Sequence, residues 1–208
     1  RNGVKAVRET AEAAAELGIE HLTLYAFSTE NWNRPKLEVS ALMMLLVDTL
    51  KKEINTLNKN NIKLHAIGDL TKLPKKTYKA LMDGMESTKK NTRMTLHLAL
   101  NYSSRWEIIE ATKKIAVLAK EKKIDPNNVD ETEFDKHLAT AGIPDPELLI
   151  RTSGERRLSN YLLYQLAYTE LYFTDNYWPE FRKVDFYKAL IDFQMRERRF
   201  GMTSDQIG

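Results

Sequence analysis

Leu148-Leu149-Ile150-Arg151-Thr152-Ser153-Gly154-Glu155-Arg156-Arg157-Leu158-Ser159-Asn160 runs from an apolar segment into an arginine-rich polar turn. The apolar run Leu148-Leu149-Ile150 reads as a buried strand, and Tyr161-Leu162-Leu163-Tyr164-Gln165-Leu166 just beyond can start a helix. Arginines, serines, a glycine and a carboxylate are thus packed into a strand-to-helix turn, the place where an open α/β sheet puts its ligands. Guanidinium forks and hydroxyl donors suit a phosphate or diphosphate, and a glutamate among them suits a bridging divalent cation. The rival reading is a solvated, arginine-rich surface turn, because such a string is no general phosphate fingerprint.

Outward from this turn the chain alternates strands and helices. Helices are expected over residues 4–17 (closed by Gly18), 37–60, 74–90, 106–122, 131–139 and 184–199. Strands are expected over 21–27, 62–67, 94–100, 148–151 and 170–173. Gly18 suits the left-handed residue after a helix, and Pro74 suits a first helical turn. Such alternation predicts an α/β fold, with a mostly parallel central sheet flanked by helices on both faces. No linker, low-complexity tract or repeat interrupts it, so residues 1–208 read as a single domain.

Composition narrows the function classes. Lys+Arg 32 against Asp+Glu 29 gives a net charge of +3, too balanced for nucleic acid as an obligate partner. With Cys 0 there are no disulfides, thiolate nucleophiles or cysteine-ligated zinc. His21, His65, His97 and His137 have no metal-site spacing, and His65 and His97 read as satisfied core or edge histidines. No run approaches the roughly 20 apolar residues of a membrane span. The expected location is the cytoplasm, or the inner face of the membrane as a peripheral protein.

In a parallel sheet the loops after successive strands share one rim. Here they read Ser28-Thr29-Glu30-Asn31-Trp32-Asn33-Arg34-Pro35, Gly68-Asp69-Leu70-Thr71, Asn101-Tyr102-Ser103-Ser104-Arg105-Trp106-Glu107, and the Arg151 segment. Together they offer Arg34, Arg105, Arg151, Arg156 and Arg157, with Glu30, Glu107 and Glu155 interleaved. Neither a Walker loop nor a dinucleotide turn is present, and no nucleophile elbow either. After the first of these loops comes Val39-Ser40-Ala41-Leu42-Met43-Met44-Leu45-Leu46-Val47-Asp48-Thr49-Leu50, apolar nearly all round. Two apolar faces need two apolar neighbours. One is the sheet, and the other is a helix, a subunit partner or an apolar ligand. An anion-binding rim opening onto such a wall suits a substrate with a charged head and a hydrocarbon tail.

The 27–35 and 151–160 segments together resemble the cis-prenyltransferase family, nearest to bacterial undecaprenyl diphosphate synthases. Asn101-Tyr102, Arg105-Trp106, Glu170-Leu171-Tyr172-Phe173, Trp178-Pro179 and Arg196-Glu197-Arg198-Arg199-Phe200-Gly201 extend the resemblance in order along the chain. It implies Mg2+-dependent condensation of isopentenyl diphosphate onto an allylic diphosphate such as farnesyl diphosphate. Each step makes a cis double bond, and the product grows in a hydrophobic tunnel. The resemblance assigns Ser28, Thr29, Glu30, Trp32 and Arg34 to a substrate loop and Asn31 to the position of a proton acceptor. It gives isopentenyl diphosphate to Arg151, Arg157, Leu158 and Ser159, and metal to Glu170, which can alternatively pair an arginine. A neutral amide has almost no basicity, so Asn31 reads better as a positioner, with the departing diphosphate as proton sink.

The resemblance further implies a homodimer, with the C-terminal helix and tail as candidates to reach a partner's site, and delivery of the product to a membrane. It places a tunnel wall on the 39–50 helix, where Ala41→Leu is expected to shorten the product. The family's Asp-Gly-Asn-Gly-Arg-Trp motif, with its principal metal-binding aspartate, occurs nowhere in the 208 residues. That motif and the first strand of the sheet are expected upstream of Arg1, and residues 1–208 are expected to be inactive or nearly so on their own. Ser103-Ser104 stands where Gly-Gly is frequent, and Arg156 where some members carry histidine. A non-catalytic accessory subunit is the rival from another class, but such chains tend to lose the arginine motif that is complete in this one. A metal-dependent phosphohydrolase would need a nucleophile or a dense Asp/His cluster, and neither is visible.

Overall fold

A computed structural model describes residues 2–200 and 203–206. Its contacts resolve into two compact units, residues 14–144 and residues 1–13 with 145–208. The helix α1 (Asn2–Glu16) ends at Gly18, whose φ of +78° is the left-handed conformation that the sequence assigns to it.

In the unit of residues 14–144, β1 (His21–Ser28), β2 (Ile62–Ile67) and β3 (Met94–Tyr102) form a parallel sheet in the order β1-β3-β2. Register pairs Leu24 with Leu98 and Leu64 with Leu96, so their leucines share one face. Helices α2 (Lys36–Lys59) and α3 (Lys75–Thr88) follow β1 and β2. They cover that face closely: a Cβ on Gly84 of α3 would lie 3.1 Å from a methyl of Leu64 and 3.6 Å from Ile54 of α2. The outer edge of β2 is capped from α3 and its end, where Leu64 N–H donates to the Thr88 hydroxyl (2.9 Å) and Asn91 donates to the Ile62 carbonyl (2.7 Å). Both bonds satisfy main-chain groups that an edge strand leaves open. Helix α4 (Ser104–Lys120) and the short α5 (Glu131–Asp135), capped by Asp130 at the Glu133 N–H, complete the unit.

The other unit holds a second parallel sheet, β4 (Leu148–Arg151) beside β5 (Glu170–Phe173), and helix α6 (Lys183–Gln194). Every strand pairing is therefore parallel, as the alternation predicts, with the strands shared between sheets of three and two. No helix among the described residues is long and apolar enough to cross a membrane.

Three expectations change. Tyr161–Leu166 forms turns instead of a helix, because Ser159, Asn160 and Leu162 stand at φ of +52°, +60° and +47°, which halts right-handed propagation. Helices α5 and α6 stop short, at Asp135 and Gln194. Helix α2 is not enclosed all round: Val39, Met43, Leu50 and Leu57 are buried, whereas Leu37, Ala41, Met44 and Leu45 lie exposed on the opposite face. Ala41 thus does not face the sheet.

Candidate active site

The loop after β1 turns sharply into a 3₁₀ segment, Thr29–Asn33. The Asn31 carboxamide oxygen accepts the Ser28 N–H (2.9 Å), so this side chain closes its own turn. That bond orients the Asn31 carboxamide, and its NH2 group remains to donate to a ligand. The Thr29 hydroxyl donates to Glu30 (3.1 Å), and Arg34 forms an exposed pair with Glu38 (2.8 Å), one helical turn into α2. Trp32 rests edge-on against buried Phe27, with centroids 5.0 Å apart, and its indole N–H donates to Asn101 Oδ1 (2.7 Å).

Asn101, the penultimate residue of β3, has the left-handed conformation, φ +48°, and is only 2% exposed. Its NH2 donates to the Asp69 carbonyl (2.8 Å), and the Asp69 N–H donates back to the Asn101 carbonyl (3.2 Å). The loops after β1, β2 and β3 therefore do meet at one rim. Gly68 permits this approach: its φ is +123°, and a Cβ there would lie 2.1 Å from the Leu100 oxygen. The Asp69 carboxylate accepts from Thr71 (2.6 Å) and pairs with Lys72 (3.0 Å), and these bonds hold its pKa below the usual carboxylate value despite opposing desolvation. Glu107, read from the sequence as a rim carboxylate, is instead 1% exposed and structural. It accepts the Tyr102 hydroxyl and the Ala139 N–H (3.2 Å), which fastens α4 to the chain beyond α5.

The second set of candidates lies in the unit of residues 1–13 with 145–208. Arg151 closes β4, opposite Phe173 of β5. Its Nε is buried and has no hydrogen-bond partner among the described residues. A buried guanidinium N–H without an acceptor is costly, and a phosphate oxygen is one acceptor that would satisfy it. Beyond it the backbone winds through left-handed residues at Ser153 (φ +69°), Gly154 (+67°), Ser159 and Asn160. The Ser153 and Gly154 N–H groups donate to the carbonyls of Asn176 (2.8 Å) and Thr174 (3.0 Å), which tie the turn to the end of β5. Arg156, Arg157 and Ser159 are exposed, Leu158 is half-buried, and Arg157 pairs with Glu155.

Glu170 starts β5, and its carboxylate accepts Arg196 Nη1 (2.9 Å), the same guanidinium that meets Asp192 (2.5 Å) and the Leu171 carbonyl (3.0 Å). Arginine pairing, the alternative open for Glu170 in the sequence, is what the geometry has. No group of three His, Asp or Glu side chains among the described residues is placed to hold a metal. One carboxylate still fits Mg2+, which is held commonly by one or two carboxylates together with substrate phosphate oxygens and waters. Gly201, the last residue of the C-terminal motif, lies outside the described residues. Sequence reading missed the roles of Asn101, Glu107 and Arg196, each of which sits inside or beside a segment that carries the family resemblance but is defined by partners elsewhere along the chain.

The histidines, scattered in sequence, also gather. His97 Nε2 lies 3.0 Å from His21 Nδ1, and His97 Nδ1 lies 3.0 Å from His65 Nδ1, across all three strands of the larger sheet. Both ring nitrogens of His97 are engaged, so as a neutral imidazole it donates to one neighbour and accepts from the other.

Comparison with known proteins bears on these features. The family described as undecaprenyl diphosphate synthase matches residues 1–201. An isoprenyl transferase of Chlorobaculum tepidum is 49% identical over 205 residues, covering 99% of this chain and 77% of the relative. A ditrans,polycis-undecaprenyl-diphosphate synthase of Haemophilus influenzae, specific for (2E,6E)-farnesyl diphosphate, is 46% identical over 97% of this chain and 84% of its own. Among solved structures, lavandulyl diphosphate synthase from Lavandula x intermedia, in complex with dimethylallyl diphosphate, superposes with a TM-score of 0.93 at 38% identity, over 96% of this chain and 86% of that one. A probable undecaprenyl diphosphate synthase from Campylobacter jejuni gives 0.85 at 36% identity, over 96% and 92%. With the arginine turn after β4 and the capped loop after β1 both in place, the chain belongs to the undecaprenyl diphosphate synthase family of cis-prenyltransferases.

Proposed function

We propose that the protein condenses isopentenyl diphosphate with an allylic diphosphate, farnesyl diphosphate first, in successive cis additions to a long-chain polyprenyl diphosphate. The observation that carries this reading is the buried, unpartnered Nε of Arg151 at the mouth of a turn that also presents Arg157 and Ser159. Guanidinium groups cannot be deprotonated in proteins and offer paired donors to diphosphate oxygens. Arg151, Arg157 and the Ser159 hydroxyl would hold the isopentenyl diphosphate, with Leu158 beside its carbon chain. The 28–34 loop would bind the allylic partner, with Ser28, Thr29, Glu30 and Arg34 as polar contacts and Trp32 as the aromatic one.

In each addition the allylic C–O bond breaks and its electron pair leaves with the diphosphate. The new C–C bond forms to the terminal alkene carbon of isopentenyl diphosphate, and a proton leaves the next-but-one carbon towards the departing diphosphate. Glu170, together with substrate phosphate oxygens, would hold Mg2+, which would supply charge neutralisation for that leaving group. Arg196 competes for the same carboxylate. Asn31 shapes the loop and is not its base.

The working form would be a homodimer, with the C-terminal helix, whose Val184 and Ile191 are exposed, and the tail as the parts to reach a partner's site. The protein would work in the cytoplasm or at the inner membrane face, where its lipid product is delivered. A transfer assay on the natural full-length protein with farnesyl diphosphate, radiolabelled isopentenyl diphosphate and Mg2+ tests the proposal. A ladder ending in a long polyprenyl diphosphate supports it. Binding of isopentenyl diphosphate without any product would move the assignment to an accessory subunit.

A further inference from the structure

The 28–34 loop is a weak element by itself. Its 3₁₀ segment buries none of its residues, and short 3₁₀ turns have poor internal hydrogen-bond geometry. Its bonds at Ser28–Asn31, Thr29–Glu30 and Arg34–Glu38 are all local. The Trp32–Asn101 bond differs, spanning 69 residues and joining an indole that is 36% exposed to a side chain sealed in the sheet.

Asn101 is itself over-determined. Asparagine tolerates its left-handed backbone, its NH2 is taken by Asp69, and the Asp69 N–H grips its carbonyl. Its Oδ1 is thus presented in one direction, locked before any loop arrives, which is what a preorganised support requires. We propose that Asn101 is the positioning residue of the 28–34 loop: its carboxamide oxygen sets the Trp32 ring, and through it the loop's approach to the allylic substrate. The proposal rests on reading that loop as substrate-binding. Asn101 touches no reacting atom and acts through Trp32.

Trp32→Phe removes the indole N–H while keeping a ring against Phe27. Asn101→Gly removes the acceptor while keeping a residue at ease with positive φ. One net hydrogen bond corresponds to roughly a 3- to 10-fold effect. Each variant is expected to raise KM for the allylic diphosphate by about that factor, with KM for isopentenyl diphosphate changed less than about 2-fold. The double variant is expected to match the worse single one, because both delete the same bond. Independent of turnover, one of the three indole N–H signals in a ¹⁵N spectrum should move in Asn101→Gly and be the signal lost in Trp32→Phe. Multiplicative KM effects, equal losses for both substrates, or an unmoved Trp32 signal would overturn the proposal. An indole signal that moves in a protein making no prenyl product would leave the Asn101–Trp32 support standing and refute the proposed function instead.

Discussion

Replacing His97 with glutamine should flatten the acid side of the protein's stability curve. His97 is 2% exposed in the middle strand of the larger sheet, with His65 on β2 and His21 on β1 against its two ring nitrogens and Lys63 of β2 nearby. Burial, and then the charges of His65, His21 and Lys63, lower its pKa from 6.5 to about 3. A histidine depressed in this way binds its proton less readily folded than unfolded. Its contribution is therefore intact above the unfolded value, near 6.5, and is lost as pH falls from there towards 3. At about 1.4 kcal/mol per unit, the full shift is worth about 4–5 kcal/mol in the acid limit, and about 2 kcal/mol of it goes between pH 8 and about pH 5. Urea unfolding of both proteins at those two pH values reads this directly. Glutamine keeps a donor and an acceptor but no proton to bind, so the wild type should lose about 2 kcal/mol more than the variant on acidification. Stability curves that run parallel within about 0.5 kcal/mol would refute the buried neutral imidazole.

Other expectations follow from single contacts. Gly68→Ala forces a Cβ against the Leu100 oxygen at an unfavourable φ and should cost about 3 kcal/mol in denaturant unfolding; a change under about 0.5 would show that the β2–β3 junction yields freely. Glu107→Gln sets an amide donor among the buried donors Tyr102 OH and Ala139 N–H, with a loss of about 1–3 kcal/mol by the same measurement. Arg151→Ala should raise KM for isopentenyl diphosphate about 10-fold or more, and kinetics like the wild type would place the diphosphate elsewhere. Ala41→Leu, on the exposed face of α2, should leave product lengths unchanged, contrary to the expectation from sequence, and shortened products would put the tunnel wall on that face.

Where a residue's role depends on its near neighbours in sequence, the chain discloses it. Gly18 after α1, the strand at the apolar run of β4 (half-buried and not buried as expected) and the alternation of strands with helices belong to that class. The turn after β4 was legible as an arginine cluster but not as a run of left-handed residues, because serine and asparagine permit that conformation without demanding it. Helix α2 showed two apolar faces in sequence, but hydropathy counts methyl groups and not neighbours, so it did not say which face meets the sheet. The histidines looked unrelated because His21, His65 and His97 meet only through strand order and register. Glu107 read as a rim carboxylate and Glu170, through the resemblance, as a metal ligand, and only their partners show a buried clamp and an arginine-paired side chain.

The left-handed turn also constrains how this segment can vary. At Ser153, Ser159, Asn160 and Leu162 the main chain favours glycine, asparagine, aspartate or a small polar residue before any ligand is considered, and it penalises valine, isoleucine and threonine. Recurrence of serine at position 159 among variants that survive selection would therefore not by itself be evidence for its hydroxyl. Ser159→Ala alters handedness preference and chemistry together, whereas Ser159→Gly removes the hydroxyl and leaves the backbone at rest. Mutational libraries across this loop should be scored against that glycine baseline, or conformational intolerance will be mistaken for contact with the substrate.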